Sequence, residues 1–199
     1  MTLKIMQVGE PVLRKRARPL SPEEIKSPRI QQLINDMRET MRRAPGVGLA
    51  APQIGESLQL AVIEDPREHL DGVAEEYLAE RERKLVPFHV IVNPEITVVE
   101  AEPATFFEGC LSLNGFTALV PRAAAVRVRC LNERAEPIVI NARGWYARIL
   151  QHEIDHLQGR IYIDRMQSRS FMEVDNYSRY WANMDISEVM AALDIKSRK

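Results

Sequence analysis

Long apolar runs are what this chain most plainly lacks: nothing in it approaches the roughly 18 to 20 consecutive apolar residues that a membrane span requires. Charge of one sign is missing too, since 27 basic residues meet 28 acidic ones for a formal net charge of -1. That balance gives no general electrostatic ground for binding nucleic acid or an anionic membrane. Two cysteines, Cys110 and Cys130, cannot build a disulfide framework. No internal repeat, low-complexity tract or Gly/Ser-rich linker divides the chain. The opening Met-Thr-Leu-Lys-Ile-Met-Gln-Val-Gly-Glu has neither the apolar centre of a secretion signal nor the Arg- and Ser-rich texture of a transit peptide. What is present is 199 residues with 45% hydrophobic positions, enough for one well-buried domain, and the expectation is a cytoplasmic protein.

Ser27-Pro28 predicts a helix start, with a capping residue followed by proline at the first helical position. Ile30, Leu33, Ile34, Met37 and Met41 then recur at helical spacing, which predicts a helix over residues 28–43 with one apolar face. The texture afterwards becomes strand-like, in short β-branched runs at 58–64, 89–93, 95–100, 125–131 and 137–141. Between the first two lies a Glu- and Arg-rich stretch, 66–83, which reads as a partly helical surface insertion with a solvated face. A second helix is expected over about 143–158, stopped by Gly159. Beyond Met166 the tail reads as a less regular extension, 167–199, ending in a short amphipathic turn near 187–193. Strands in runs, apart from helices, argue for an α+β fold rather than a doubly wound parallel sheet.

The second helix carries Gln151-His152-Glu153-Ile-Asp-His156-Leu157. Two histidines four apart point the same way, so their imidazoles can meet at one metal ion. Ile149 and Trp145 fall on that face one and two turns upstream. Tyr146, Leu150 and Leu157 form an adjacent apolar face with Glu153 at its edge, and Arg148, Gln151, Asp155 and Gln158 make a narrow polar side. Isolated buried histidines usually find ordinary hydrogen-bond partners. His-Glu-x-x-His on a well-formed helix reverses that expectation.

Two histidines need a third protein ligand to hold a catalytic metal. Tyr162 stands where one protease class would place another His, and Glu173 is the nearest downstream carboxylate. His69 and His89 lie far upstream without a local partner. Cys110 is the better candidate: it lies in Phe106-Phe-Glu108-Gly-Cys110-Leu111-Ser112, and its thiolate would leave a divalent ion with two neutral histidines at net +1. Cys130, in an alternating strand, reads as a small buried hydrophobe.

Three segments, Gly46-Val47-Gly48-Leu-Ala-Ala-Pro-Gln53, Glu108-Gly-Cys110-Leu111-Ser112 and Gln151-His152-Glu153-Ile-Asp-His156-Leu157, resemble the signature motifs of peptide deformylase in the family's order and spacing. The similarity runs from about Val8 to Met166. Gly115-Phe116, Gly144-Trp145 and the charged insertion resemble the organellar-type subgroup, while the short N-terminus suggests a bacterial-style protein.

The resemblance implies short, mostly antiparallel sheets around a buried central helix, in a domain over 1–166. It implies metal ligation by Cys110, His152 and His156, typically of ferrous iron, with zinc, nickel or cobalt able to substitute. Water activated at the ion would attack the formyl carbon of an N-formyl-methionyl nascent peptide and release formate. Glu153 would act as general base and then acid, with Gln53 and the backbone N–H of Leu111 stabilising the oxyanion. Gly46, Val47 and Gly48 would offer backbone to an extended peptide, and Val47, Phe106, Trp145 and Ile149 a pocket for the methionine side chain. Glu108, Asp155 and Arg122 are candidates for orienting the ligands. Thr117 departs from the Arg that many relatives carry there. The basic ending Lys196-Ser-Arg-Lys199 suggests transient docking on the ribosome. Two alternatives remain, a metallopeptidase and a deformylase-like module that binds without turnover. The first lacks a convincing downstream ligand, and retention of Glu153 argues against the second.

Overall fold

Two serine–proline pairs open the helical part of the fold. Ser21 caps α1 (Pro22–Lys26) by accepting from the Glu24 N–H, while the Glu24 carboxylate reaches back to the Ser21 N–H. Ser27 then caps α2 (Pro28–Arg43), at the bounds its periodicity predicts. α1 is an addition that the sequence reading did not contain. The structure, a computed structural model, describes residues 2–196.

The strands are β1 (Gly48–Ala50), β2 (Leu60–Asp65), β3 (Val86–Cys110), β4 (Leu113–Leu131) and β5 (Pro137–Arg143), antiparallel neighbours in that order. A two-residue strand near the C-terminus, β6 (Met172–Glu173), pairs with β4 off this path. Helix α3 (Glu75–Glu80) lies between β2 and β3, and α4 (Gly144–Leu157) follows β5 directly. The class is α+β and the pairing antiparallel, as expected, but the strands are not all short. β3 and β4 run 25 and 19 residues and form one bent hairpin. The two runs expected at 89–93 and 95–100 are one strand, which passes through Pro94 by an irregularity: Asn93 takes φ 51° and the register shifts between Val92 and Glu95.

β2 explains how the layers stack. All six of its residues are buried. Ala61 and Ile63 pack with Ile149, Leu150 and Ile154 of α4, whereas Leu60 and Val62 pack with Ile34, Met37 and Met41 of α2. The two-residue period of a strand thus places α4 on one face of the sheet and α2 on the other. α4 ends where the sequence says it should. Gly159 takes φ +75°, and a Cβ there would lie 2.8 Å from the Arg14 carbonyl oxygen, so only glycine fits the stop.

The insertion is not simply a solvated face. It holds a 3-10 turn at Arg67–His69 and then α3, but Arg81 is buried, its guanidinium 3.4 Å from the Tyr77 ring centroid and 4.6 Å from that of Phe106. The Arg81 carbonyl accepts from the Trp145 N–H at 2.8 Å, and Arg83 makes a two-pronged pair with buried Asp65 at 2.8 and 2.9 Å. The second half of the insertion therefore belongs to the packing around the start of α4.

The tail is more regular than its sequence suggests. After a 3-10 turn at Ser168–Ser170 come β6, α5 (Val174–Tyr180) and α6 (Ile186–Ala192). Of the basic ending, residues 197–199 lie outside the described residues. Among the described residues, no helix is long and apolar enough to cross a membrane.

Candidate active site

α4 passes beneath the turn joining β3 to β4, and that crossing assembles the three expected donors. Cys110 is the last residue of β3 and pairs with Leu113 across a turn made by Leu111 and Ser112. Its Sγ lies 3.2 Å from His156 Nε2, and the donor atoms of Cys110, His152 and His156 are within 4.8 Å of one another. Two donors on one ion at ordinary metal–sulfur and metal–nitrogen lengths lie about 3.5 Å apart. One thiolate and two imidazoles at this spacing therefore fit a four-coordinate ion with one open position.

The surroundings of the donors fit as well. His152 Nδ1 is 3.0 Å from Glu108 Oε2, the carboxylate–histidine pairing that fixes a ring and leaves Nε2 to ligate. The Tyr162 ring lies stacked against His152, with 6.4 Å between centroids. Burial works against a charged His152, but hydrogen bonds with Cys110 and Glu108 outweigh it and raise its pKa well above the ordinary value. His156 is shifted well below by burial, and then by the charge of His152. Its Nδ1 has no partner among the described residues.

The other candidate ligands lie elsewhere. His69 Nδ1 is 3.4 Å from an Asp65 oxygen, and His89 sits between the Pro87 carbonyl and the Tyr146 hydroxyl, 2.9 Å from each. Glu173 is exposed on β6, and Cys130 is buried, its thiol pushed up to about 11 by that burial.

Glu153 is buried, and its two oxygens differ. A Cβ built on Gly48 would lie 2.1 Å from Oε1, so the carboxylate packs directly against the β1 backbone where only glycine leaves room. Oε2 is buried with no hydrogen-bond partner among the described residues. Burial pushes the carboxyl up to about 7. Opposite it, Gln53 is 2% exposed rather than a solvated loop residue. Its Oε1 accepts from the Ala50 N–H at 2.8 Å, which turns the amide NH2 toward Cys110 Sγ at 3.5 Å and Ser112 Oγ at 3.3 Å.

The polar side of α4 is mostly turned inward. Arg148 and Asp155 are 4% exposed each and face a buried ion network, not solvent. Arg122 holds both Glu108 oxygens at 2.9 Å and also pairs with Asp155; Arg148 reaches Glu108 at 2.6 Å, and Arg165 grips Asp155 at 2.6 and 2.8 Å. Burial alone would push Glu108 up, but the charge of Arg122 and the hydrogen bonds from His152 and Arg122 hold it well below the usual carboxylate range. Gln151 brackets the Ala123 backbone at 3.0 and 2.9 Å, which leaves Gln158 as the exposed member of that side. Thr117 is buried too, its hydroxyl donating to the Glu108 carbonyl at 2.9 Å.

Cys110, His152, Glu108 and Arg148 line one cavity of about 340 Å³. Gly46, Val47, Gly48, Leu111, Trp145 and Ile149 are in its wall, with Gln53 and Glu153. Phe106 is not. Its ring lies under the guanidinium groups of Arg81 and Arg148, at 4.6 and 5.3 Å, so it supports the wall from behind. Leu113, Phe116 and Val174 also line the cavity: the first two follow Cys110 at the start of β4, whereas Val174 is brought in by long-range packing that no local pattern marks.

The sequence model for polypeptide deformylase matches residues 2–171. Among curated proteins, the chain is 47% identical over 173 residues to "Peptide deformylase 1A, chloroplastic/mitochondrial" of Arabidopsis thaliana, covering 87% of this chain and 64% of that protein. It is 42% identical over 191 residues to "Peptide deformylase 3" of Streptomyces avermitilis, covering 96% and 83%. Against human "Peptide deformylase, mitochondrial" the figures are 40% over 181 residues, 91% and 72%. The chain thus spans less than two thirds of the plant relative's length and more of the others. Among solved structures, a Met-Ala-Ser-bound class I type b peptide deformylase from Acinetobacter baumannii superposes with a TM-score of 0.74 at 33% identity, covering 83% of this chain and 99% of that one.

Proposed function

The chain belongs to the polypeptide deformylase family, and from that premise we propose that it hydrolyses the N-formyl group of formyl-methionyl nascent peptides. Water adds across the formamide, the C–N bond breaks, and formate and a free amino terminus leave. One observation carries the reading: Glu153, Cys110, His152 and the turned amide of Gln53 line one cavity, and His156 completes the donor set with its Nε2 3.2 Å from Cys110 Sγ. Cys110, His152 and His156 would hold a divalent ion, ferrous iron in our reading with zinc, nickel or cobalt as substitutes. Such an ion supplies a Lewis acid and lowers the pKa of water toward neutrality.

The remaining roles fall to the protein. Glu153 takes the proton of the attacking water on Oε2 and delivers it to the leaving amine. The Gln53 NH2 and the Leu111 N–H donate to the oxyanion, and because Gln53 is pinned through its own oxygen to Ala50, its donor is already aimed. β1 is the terminal strand of the sheet path, which leaves its outer edge, next to Gly46, Val47 and Gly48, to pair with an extended peptide. Val47, Trp145 and Ile149 receive the methionine side chain. We assign this work to 1–166, with 167–199 as an extension, and place it in the cytoplasm on the likeness to the bacterial relatives. A metallopeptidase has little support: Glu173 is exposed, and Tyr162 stands where another ligand would be required.

Formate release from formyl-Met-Ala-Ser by protein purified anaerobically and loaded with ferrous iron tests the reading, with the N-acetyl peptide as control. Turnover of the formyl peptide alone is expected. One bound ion per chain without formate would replace the reading with a non-catalytic binder. Within the same assay, Gly48→Ala is expected to lower kcat/KM by about 10²-fold, the cost of displacing a reacting group by roughly an ångström. Its Cβ would occupy the place of Glu153 Oε1. An unchanged rate would show that Glu153 has freedom the packing denies it.

A further inference from the structure

One wall of the cavity comes from beyond the segment that the deformylase family model matches. Val174 lines it, and the match ends at residue 171. How Val174 gets there can be followed bond by bond. After the turn at Tyr162–Asp164, the Gln167 N–H donates to the Leu119 carbonyl at 2.8 Å, and the Leu119 N–H donates to Ser170 Oγ at 2.8 Å. Phe171 lays its ring on that of Phe116, with centroids 5.0 Å apart and planes within 7°. β6 then pairs Met172 with Thr117 and Glu173 with Phe116, which delivers Val174 beside Phe116 at the cavity rim. α5 locks the far side, with the Tyr177 ring 4.6 Å from that of Phe107. The extension is therefore fastened along residues 116–119 of β4 and cannot swing clear without losing a short strand and two aromatic contacts.

An extended peptide lying along β1 alternates its side chains, so the first and third enter the same side. If the methionine side chain enters between Trp145 and Ile149, the third side chain turns toward the same cavity one strand repeat further on. Phe116 and Val174 are the apolar side chains of the wall that the extension completes, and exposed Glu173 and Asp175 flank Val174. We propose that Val174, backed by Phe116 and Phe171, is a specificity-determining residue that reads the third residue of the peptide, favouring an apolar side chain and disfavouring an acidic one. This rests on the deformylase reading above.

The test compares formyl-Met-Ala-Leu, formyl-Met-Ala-Asp and formyl-Met-Ala-Lys with the wild type, Val174→Asp and Val174→Lys. Calorimetric binding of the three deformylated peptides gives a second readout. Val174 is 41% exposed, so both charges are solvated and the fold is expected to persist, which an unchanged thermal midpoint verifies. Wild type should prefer Leu over Asp. Val174→Asp should shift the Lys-to-Asp ratio of kcat/KM upward, and Val174→Lys shift it downward, each by about three- to fivefold, the range of a partly exposed ion pair. Varying the second residue instead should leave those ratios alone. Equal Lys-to-Asp ratios in all three proteins, by turnover and by calorimetry, would overturn the inference. Absence of formate from every peptide would overturn the deformylase reading instead, and the calorimetric ratios alone would then decide what Val174 does.

Discussion

Replacing Glu153 by Gln is expected to leave one metal ion bound per chain and to lower formate release by about 10³-fold, within the range that a positioned acid–base group contributes. The geometry separates the two effects. Glu153 is not a member of the Cys110, His152 and His156 donor set, and its Oε1 is pressed against Gly48 while Oε2 faces no partner among the described residues. Glutamine fills the same volume between β1 and α4, so the helix keeps its seat and the histidines keep theirs. An amide cannot accept the proton of the attacking water or return it to the amine, and no second carboxylate among the described residues stands ready. Glu108 is the nearest in chemistry, but both its oxygens are taken up by Arg122, Arg148 and His152. Glu153→Ala should give the same pair of results. Metal analysis beside the formate assay checks it: loss of the ion together with turnover would mean that Glu153 holds the site together and is not the proton carrier.

Glu153 was legible in the sequence because its evidence is local: four-residue spacing, an apolar flank and a glycine stop are all properties of one helix. The same holds for the caps of α2. What the sequence could not show depends on contacts between distant segments. On a helical wheel Arg148 and Asp155 are only a polar side, since a wheel carries no information about Arg122 and Glu108 approaching from the sheet. Arg81 looks like one charge in a charged insertion until Tyr77 and Phe106 close over it. Pro94 looks like a strand end, because proline removes a ladder donor, yet a register shift absorbs it and β3 continues to Cys110. Gln53 is intermediate: its loop offers no periodicity, and only the resemblance of its motif marked it before the structure turned its amide toward Cys110. Val174 had no mark at all, because a two-residue strand is too short to leave a pattern.

Cys110→Ala is expected to abolish stoichiometric metal retention, and turnover with it. The remaining pair, His152 and His156, offers two neutral imidazoles, and the only anionic donor of the set would be gone. The loss should exceed the roughly 10- to 100-fold that removing an outer hydrogen-bond partner costs a metal site. Glu108→Gln supplies that comparison, since Glu108 orients His152 at 3.0 Å without being one of the three donors. Little else depends on the thiol. Its other contacts are the Gln53 amide at 3.5 Å and the Ser112 N–H at 3.4 Å, weak hydrogen bonds because sulfur is a poor acceptor, while the β3–β4 ladder is held by backbone. Far-ultraviolet circular dichroism should therefore be unchanged while dialysed protein carries no ion. Cys110→Asp, which restores an anionic donor of similar reach, should recover part of the binding. A Cys110→Ala protein that still held one ion per chain would transfer the third-ligand role elsewhere. It would break the assignment at its root, because the other candidates, His69, His89 and Glu173, lie outside the donor cluster.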